Sequence, residues 1–237
     1  MRKVCWWYNL LRITLTIKVI VIGTFFSGCA FGRKSIYLDT GFSAHGNKGP
    51  DNSLAVIIDK VEDLRVFSLD NGLKMPSIGL SSLFSRLDDS ENSRKRLVGR
   101  IANGWGCPCG DVCAQNTTVA DHVWKIVEQS FLDAGFSVVS GSQECPNVIH
   151  VSVGIENFWG WVCYAYSSDA RIRVELEGDG VHEVIIGSAS STATAVWGTD
   201  GEWRDLFVDN AAKLKDDLVR QFKTLSLIFR RKRMSWQ

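Results

Sequence analysis

The chain has 237 residues, of which 45% are hydrophobic and 22% are charged, and its formal net charge is +1. This length suffices for one domain with a substantial hydrophobic core, and nothing in the sequence indicates a second domain. The only basic run, RRKR at residues 230–233, lies in the C-terminal tail. A nucleic-acid-binding surface needs a basic patch on the folded part, so we expect no nucleic-acid partner.

The N-terminal segment has the charge order of a secretory signal. Four basic residues and no acidic residue precede the apolar run at residues 19–28. Positive charge followed by an apolar run is typical of a signal peptide. The run is shorter than the roughly 20 residues that span a bilayer, and Lys18 would lie inside any longer helix. We therefore assign residues 1–28 to a signal peptide, whose removal would change the formal charge from +1 to −3.

The sequence Phe26-Ser27-Gly28-Cys29 resembles a bacterial lipobox, in which a bulky apolar residue and two small residues precede a cysteine. The resemblance implies cleavage before Cys29, diacylglycerol on its thiol and an acyl chain such as palmitate on its amine. Two or more chains anchor stably, because each buried CH₂ contributes about 0.8 kcal/mol. In the sorting rule that comes with the resemblance, Ala30 implies the periplasmic face of the outer membrane. An ordinary signal peptide or an uncleaved anchor is the alternative.

The next part of the chain has few periodic signals. Residues 29–53 are rich in Gly, Ser, Asn and Asp, and they predict a lipidated cysteine followed by a flexible tether. A β-branched run at 54–61 predicts a short strand. Residues 70–116 show the least pattern, with a short strand predicted within 77–87.

A helix is predicted from Thr118 to Gly135. Thr118 and Asp121 have the spacing of a capping box, with Asp in place of the usual Glu. Gly135 stands where a C-terminal cap is expected. Apolar residues recur at every fourth position between them: Val119, Val123, Val127 and Phe131.

Period-two alternation predicts strands at 148–155 and 170–177, and the turn at 178–180 joins the second strand to one at 181–188. The last predicted helix covers about residues 202–225, and its apolar stripe consists of Phe207, Ala211, Leu214, Leu218, Phe222 and Leu225. Residues 228–237 are expected to form a basic tail. Such a tail is either a solvated end or a contact with anionic lipid.

This order of elements predicts a single α+β domain over residues 54–227, with a largely antiparallel sheet and two helices packed on one face. Together with the lipobox, Asp63-x-Arg65 and Ala134-Gly135-Phe136, the order resembles the YajG-like family of small bacterial envelope lipoproteins. The resemblance covers about residues 20–225 and implies no catalytic residues.

A cysteine-rich loop departs from that resemblance. An oxidising compartment favours disulfides, although an odd number of cysteines leaves one thiol unpaired. A tetrahedral zinc site with His122 as fourth ligand, or reactive thiols, are the alternatives. His122 lies inside the predicted helix and the C-x-C spacing is not the usual zinc knuckle, so we expect disulfides, no metal and no cofactor. The candidates are Cys107, Cys109, Cys113, Cys145 and Cys163.

The stretch FWGWVCYAY at residues 158–166 is apolar on both faces of an extended strand. Such a strand is either buried between layers or exposes a patch for a partner or a lipid. We expect core packing. Trp159 and Trp161 share one face, and they are the pair expected to form any exposed interaction patch.

Neither a nucleophile elbow nor a phosphate-binding loop occurs in the sequence, which favours a protein that is not an enzyme. We expect an outer-membrane lipoprotein, attached to the membrane through its N-terminal lipid anchor, that acts as an envelope interaction or assembly component with an envelope protein partner. The alternative is a carrier or auxiliary subunit for transport of an envelope lipid or amphiphile. A thiol-dependent or zinc-dependent enzyme is a third hypothesis.

Overall fold

The computed structural model describes residues 32–42, 54–67, 74, 76, 91–102, 108–139, 148–178, 180–194 and 199–234. These parts contain eight strands and three helices. In chain order they are β1 (Gly32–Ile36), β2 (Ala55–Asp63), α1 (Glu91–Arg96), β3 (Leu97–Ala102), β4 (Pro108–Ala114), α2 (Val119–Asp133), β5 (Ser137–Val138), β6 (Val148–Val162), β7 (Ala165–Gly178), β8 (Val181–Thr194) and α3 (Asp200–Met234). No helix in these ranges has the length and apolar character needed to cross a bilayer.

All eight strands belong to one mixed sheet, in which β6 is central. One edge of β6 pairs with β7, and β7 pairs with β8, both in antiparallel ladders. On its other edge, the first half of β6 pairs in parallel with β2, and its last residues pair in parallel with β3. The sheet continues from β2 to β5, and from β3 through β4 to β1.

A β-bulge at Glu156 changes which side chains of β6 face the main core. Ile155 pairs with Ile172 of β7 and Asn157 pairs with Arg171, so Glu156 is the extra residue. One extra residue shifts the alternation of a strand by one position. Odd-numbered side chains from residue 149 to 155 lie in the main core, whereas after the bulge Phe158 belongs to it.

The structure confirms the predicted helix at 118–135 in detail. Thr118 Oγ1 accepts a hydrogen bond from the backbone N–H of Asp121 (3.1 Å), and Asp121 Oδ2 accepts one from the backbone N–H of Thr118 (3.2 Å). At the other end Gly135 has φ +88°, a conformation that glycine adopts readily. Phe136 N–H donates to the carbonyl oxygen of Phe131 at 3.0 Å, and their rings pack edge to face. These contacts form a Schellman motif.

The predicted last helix is also confirmed, but it is longer than the apolar stripe indicates. Every residue of the predicted stripe is buried, and Phe222 stacks on Phe131 of α2 with a ring centroid distance of 4.0 Å. The helix continues to Met234, and Phe229 is buried. The predicted separate tail at 228–237 is therefore wrong for residues 228–234. Phe229 packs in the main core, and the helix continues past it to Met234.

Part of the predicted tether belongs to the sheet. β1 pairs in parallel with β4, from Gly32 opposite Gly110 to Ile36 opposite Ala114. Ile36 and Leu38 are 1% and 4% exposed. The tether prediction for 29–53 is therefore wrong for residues 32–42. The short polar sequence of β1 shows no alternation, and its stability comes from pairing with a strand far along the chain.

An α+β architecture with long antiparallel ladders is confirmed, but the predicted arrangement of two helices on one face is too simple. The sheet dominates the structure, there is a third helix, and four of the seven strand pairings are parallel. α1, β3 and β4 lie in the region 70–116, where the sequence shows little pattern. The strand predicted within 77–87 lies outside the described residues.

Candidate functional site

A second, smaller core lies on the outer face of the sheet, which we define as the face that carries Trp159. Trp159 is fully buried with Leu97 of β3 and Cys113 of β4, and Trp161 is partly buried against this cluster. Phe67, which follows β2, packs edge-on against Trp159 with a centroid distance of 6.3 Å. Phe67 and the two neighbouring strands enclose the Trp159 ring, so the expected core packing is confirmed for Trp159, and Trp159 is not part of the alternative exposed patch.

Arg65 holds the segment after β2 against the outer face. Its guanidinium binds both carboxylate oxygens of Asp63, with Nε–Oδ1 and Nη2–Oδ2 distances of 2.8 and 2.7 Å. Nη1 donates to the carbonyl oxygens of Leu97 (2.7 Å) and Phe158 (3.0 Å), and Nη2 also donates to that of Arg94 (3.1 Å). The Asp63-x-Arg65 pattern is thus a structural link between β2, α1, β3 and β6.

A buried ion pair joins β3 to β4. Arg100 of β3 and Asp111 of β4 are register partners, and both side chains are fully buried, with Nη2–Oδ1 at 3.3 Å. Burial lowers the pKa of Arg100, while the Asp111 carboxylate opposes that shift. Removing one member of such a pair costs far more than the pair contributes, because a single charge would remain buried. The pair links β3 to β4 in the interior and is not accessible to a substrate.

The predicted cysteine sites are only partly described. Cys113 is buried beside Trp159, and Cys163 is half-buried in the turn after β6; they are not bonded to each other. Cys109 lies in β4. The lipidation residue Cys29 and the loop residues Cys107 and Cys145 lie outside the described residues. The disulfide interpretation therefore stays a prediction.

His122, the fourth ligand of the alternative zinc site, has its side chain against the main core. It is 1% exposed on α2 and packs edge-on against Phe158, with ring centroids 5.4 Å apart. Its Nε2 has no hydrogen-bond partner among the described residues. Burial lowers its pKa from 6.5 to about 4. Within the described ranges, no group of three or more His, Cys, Asp or Glu side chains converges to hold a metal.

Two shallow grooves are lined by described residues. One, of about 400 Å³, lies over β6, β7 and β8, and burial raises the pKa of its Asp169. The other, of about 550 Å³, lies beside the end of β2. Each lining contains at least one carboxylate, a serine or threonine, and an arginine or lysine, but no histidine or cysteine. The chief lining residues are Asn157, Asp169, Arg171 and Ser188 in the first groove, and Glu62, Asp63, Lys95 and Thr118 in the second.

The most exposed aromatic side chain of the long hairpins lies at one end of the sheet, which we call the β1 end. Tyr164, in the turn between β6 and β7, is 78% exposed. Lys34 of β1 forms an ion pair with Asp200 at the start of α3 (2.9 Å). Register places the first residue of β1 level with this turn through successive pairs: Gly32 with Gly110, Gly110 with Ile101, Ile101 with Val162, and Val162 with Tyr166.

Comparison with known proteins yields no family. No family model and no curated protein matches the chain. Similar solved structures include an uncharacterized protein, with TM-score 0.44 and 9% identity over 81% of this chain and 97% of that chain. A DUF330 protein from Xanthomonas campestris has TM-score 0.38 and 10% identity over 86% and 99% of the two chains. A candidate lipoprotein from Caulobacter crescentus has TM-score 0.32 and 13% identity over 43% and 80%.

At these scores and identities the matches assign no function. None of the three structures is named as a YajG-like protein, so that resemblance stays a prediction.

Burial of Trp159 predicts unequal effects of two neighbouring substitutions. Trp159→Ala should lower the free energy of unfolding by about 3–5 kcal/mol, the usual cost of truncating a large buried aromatic side chain. Trp161→Ala, two residues along the same strand, should cost clearly less because its side chain is only partly buried. Urea unfolding of residues 30–237 measures both. A small and equal loss in the two variants would contradict the enclosure of Trp159.

The buried histidine predicts a loss of stability on mild acidification. The pKa of His122 is about 4 in the folded state against 6.5 for an exposed histidine, so the unfolded chain binds the proton first as pH falls. The free energy of unfolding should therefore fall by about 2 kcal/mol between pH 7 and pH 5. Urea unfolding at both pH values measures this loss, which His122→Phe should remove. The same pH dependence in both proteins would show that His122 is not the cause.

Proposed function

We propose that this protein is a lipoprotein of the outer membrane, held at the periplasmic face by acyl chains on Cys29, and that it acts as a non-enzymatic interaction or assembly component of the envelope. The observation that carries the proposal is the order of the N-terminal residues. Basic residues, an apolar run and Phe26-Ser27-Gly28-Cys29 come in sequence, and the first strand begins at Gly32. A lipid at Cys29 would thus be attached next to the folded domain.

The contrast between buried charges and a partly exposed aromatic side chain supports a role in interaction. The guanidiniums of Arg65 and Arg100 are both paired with carboxylates and fully buried, so their charges serve the fold. In contrast, Trp161 is partly exposed on the outer face. Aromatic residues of this kind supply contact area at interfaces, because they bury a large apolar surface and keep a polar group. We propose an envelope protein as the partner.

The carrier hypothesis receives less support. It relied on Trp159 and Trp161 as an accessible apolar pair, and Trp159 is fully buried. The groove over β6, β7 and β8 is lined by Asn157, Asp169, Arg171 and Ser188, which suit polar groups better than an acyl chain.

Replacing the proposed acylation residue tests the proposal. Cys29→Ser should abolish acylation and cleavage before residue 29, because a serine lacks the thiol that accepts diacylglycerol. Cys5→Ser is the matched control, since it removes another cysteine of the N-terminal segment and should be processed as the wild type is. Mass spectrometry of the N-terminal peptide, with separation of inner and outer membranes on a density gradient, gives the result.

Unchanged cleavage and membrane attachment in the Cys29→Ser variant would overturn the lipoprotein assignment. An acylated wild type that separates with the inner membrane would overturn the outer-membrane location.

A further inference from the structure

We propose that the domain lies against the bilayer with its β1 end, so that the turn between β6 and β7 around Tyr164 contacts the lipid headgroups. This inference rests on the proposed acylation of Cys29. It goes further by naming the surface that meets the membrane and the orientation of the sheet. In this arrangement the folded domain lies directly at the membrane surface and does not stand off on a flexible tether.

The first step concerns the length of chain between the lipid and the fold. Only Ala30 and Phe31 separate Cys29 from Gly32, the first residue of β1. Three residues of fully extended chain span at most about 11 Å. The start of β1 must therefore lie within about 11 Å of the acylated residue, which is itself at the bilayer surface.

The second step concerns what else lies at that end of the sheet. Gly32 is level with Val162, the last residue of β6, through the register pairs of β4 and β3. Strands in a sheet are about 4.8 Å apart, so the three strand spacings from β1 to β6 amount to about 14 Å. β1 runs away from this end, since Ile36 pairs with Ala114. The start of β1 and the turn that contains Tyr164 therefore lie at the same end of the sheet.

The third step is the chemistry of the two ends. At the β1 end, Tyr164 is 78% exposed. Tyrosine and tryptophan favour the headgroup level of a membrane, because their rings are apolar and carry one polar group. Thr192 and Thr194 at the end of β8 are exposed and uncharged. The opposite turn, between β7 and β8, is flanked by the exposed Glu177 and His182 and has no aromatic residue.

The same orientation places the basic run of α3 away from the anchoring membrane. α3 begins at the β1 end, where Asp200 pairs with Lys34, and it then passes along β8, where Gln221 Nε2 donates to the carbonyl oxygen of Ile186. A helix rises 1.5 Å per residue, so Arg230 lies about 45 Å along the axis from Asp200. Residues 230–233 are therefore expected to face the periplasm and not the lipid that holds Cys29.

Hydrogen exchange of the acylated protein tests this orientation. The full protein is extracted from membranes, its acyl chains are verified by mass, and it is placed in vesicles of phosphatidylethanolamine and phosphatidylglycerol. Backbone amides of residues 162–166 should exchange at least about fivefold more slowly than in the unacylated residues 30–237, because the headgroups exclude water. Those of residues 178–181, at the opposite turn, should exchange at the same rate in both samples.

A matched variant separates anchoring from contact. Inserting 20 Gly/Ser residues between Cys29 and Ala30 gives the domain a mean reach of about 25 Å from the lipid. The acylated variant should remain on the vesicles and lose most of the protection at 162–166.

Each contrary result shows which part of the proposal fails. Equal exchange at the two turns, or protection at 178–181 only, would overturn the orientation while leaving acylation intact. Protection at 162–166 that is already present without vesicles would mean that another protein surface covers the turn, which also overturns it. Absence of acyl chains in the initial mass measurement would overturn the proposed function, and the inference with it.

Discussion

The long central strand β6 is the element on which the rest of the structure depends. Every other strand pairs with β6 directly or through one or two neighbours. The bulge at Glu156 divides it into two parts that face the main core with opposite alternation. Beyond the bulge, Gly160 allows α3 to pack closely, because a Cβ there would lie 2.9 Å from the Trp203 ring. The same part of β6 places Trp159 in the second core. One extra residue thus lets a single strand serve two cores.

The elements that local sequence could predict are those stabilised by their own periodicity. α2, α3 and β7 each present a regular apolar face, and the caps at Thr118 and Gly135 mark the ends of α2. β1, β3 and β4 could not be predicted in this way. They are short, and β3 and β4 bury the charged Arg100 and Asp111, so their formation depends on pairing between distant parts of the chain.

Sequence reasoning detected the important residues of the site more readily than their roles. The two-sided apolar character of residues 158–166 indicated that both faces of this strand matter, but alternation alone does not reveal the bulge two residues before this stretch. The pattern Asp63-x-Arg65 is visible in the sequence. Its role depends on the carbonyl oxygens of Leu97 and Phe158, which only the fold brings to the guanidinium. Residue type alone makes His122 a candidate zinc ligand. In the structure its ring packs edge-on against Phe158 in the interior.

The proposed orientation has a consequence for where partners would bind. β6 has 15 residues and rises about 3.3 Å per residue, so its far end would stand about 50 Å from its membrane end. That far end carries β5, the start of β2 and the β7–β8 turn. These elements and the last turns of α3 would face the periplasm, and Trp161 on the outer face would remain accessible to a protein partner. The membrane would meet the β6–β7 turn.

The central claim is that the chain enters the sheet within three residues of Cys29. Amide exchange measured by NMR on residues 30–237 tests it most directly. The amides of β1 that donate to β4 should be protected about as well as those of β4 that donate to β3, because the two pairings form one sheet. Exchange of all β1 amides at the rate of an unfolded chain would contradict the claim and restore a flexible tether between lipid and domain.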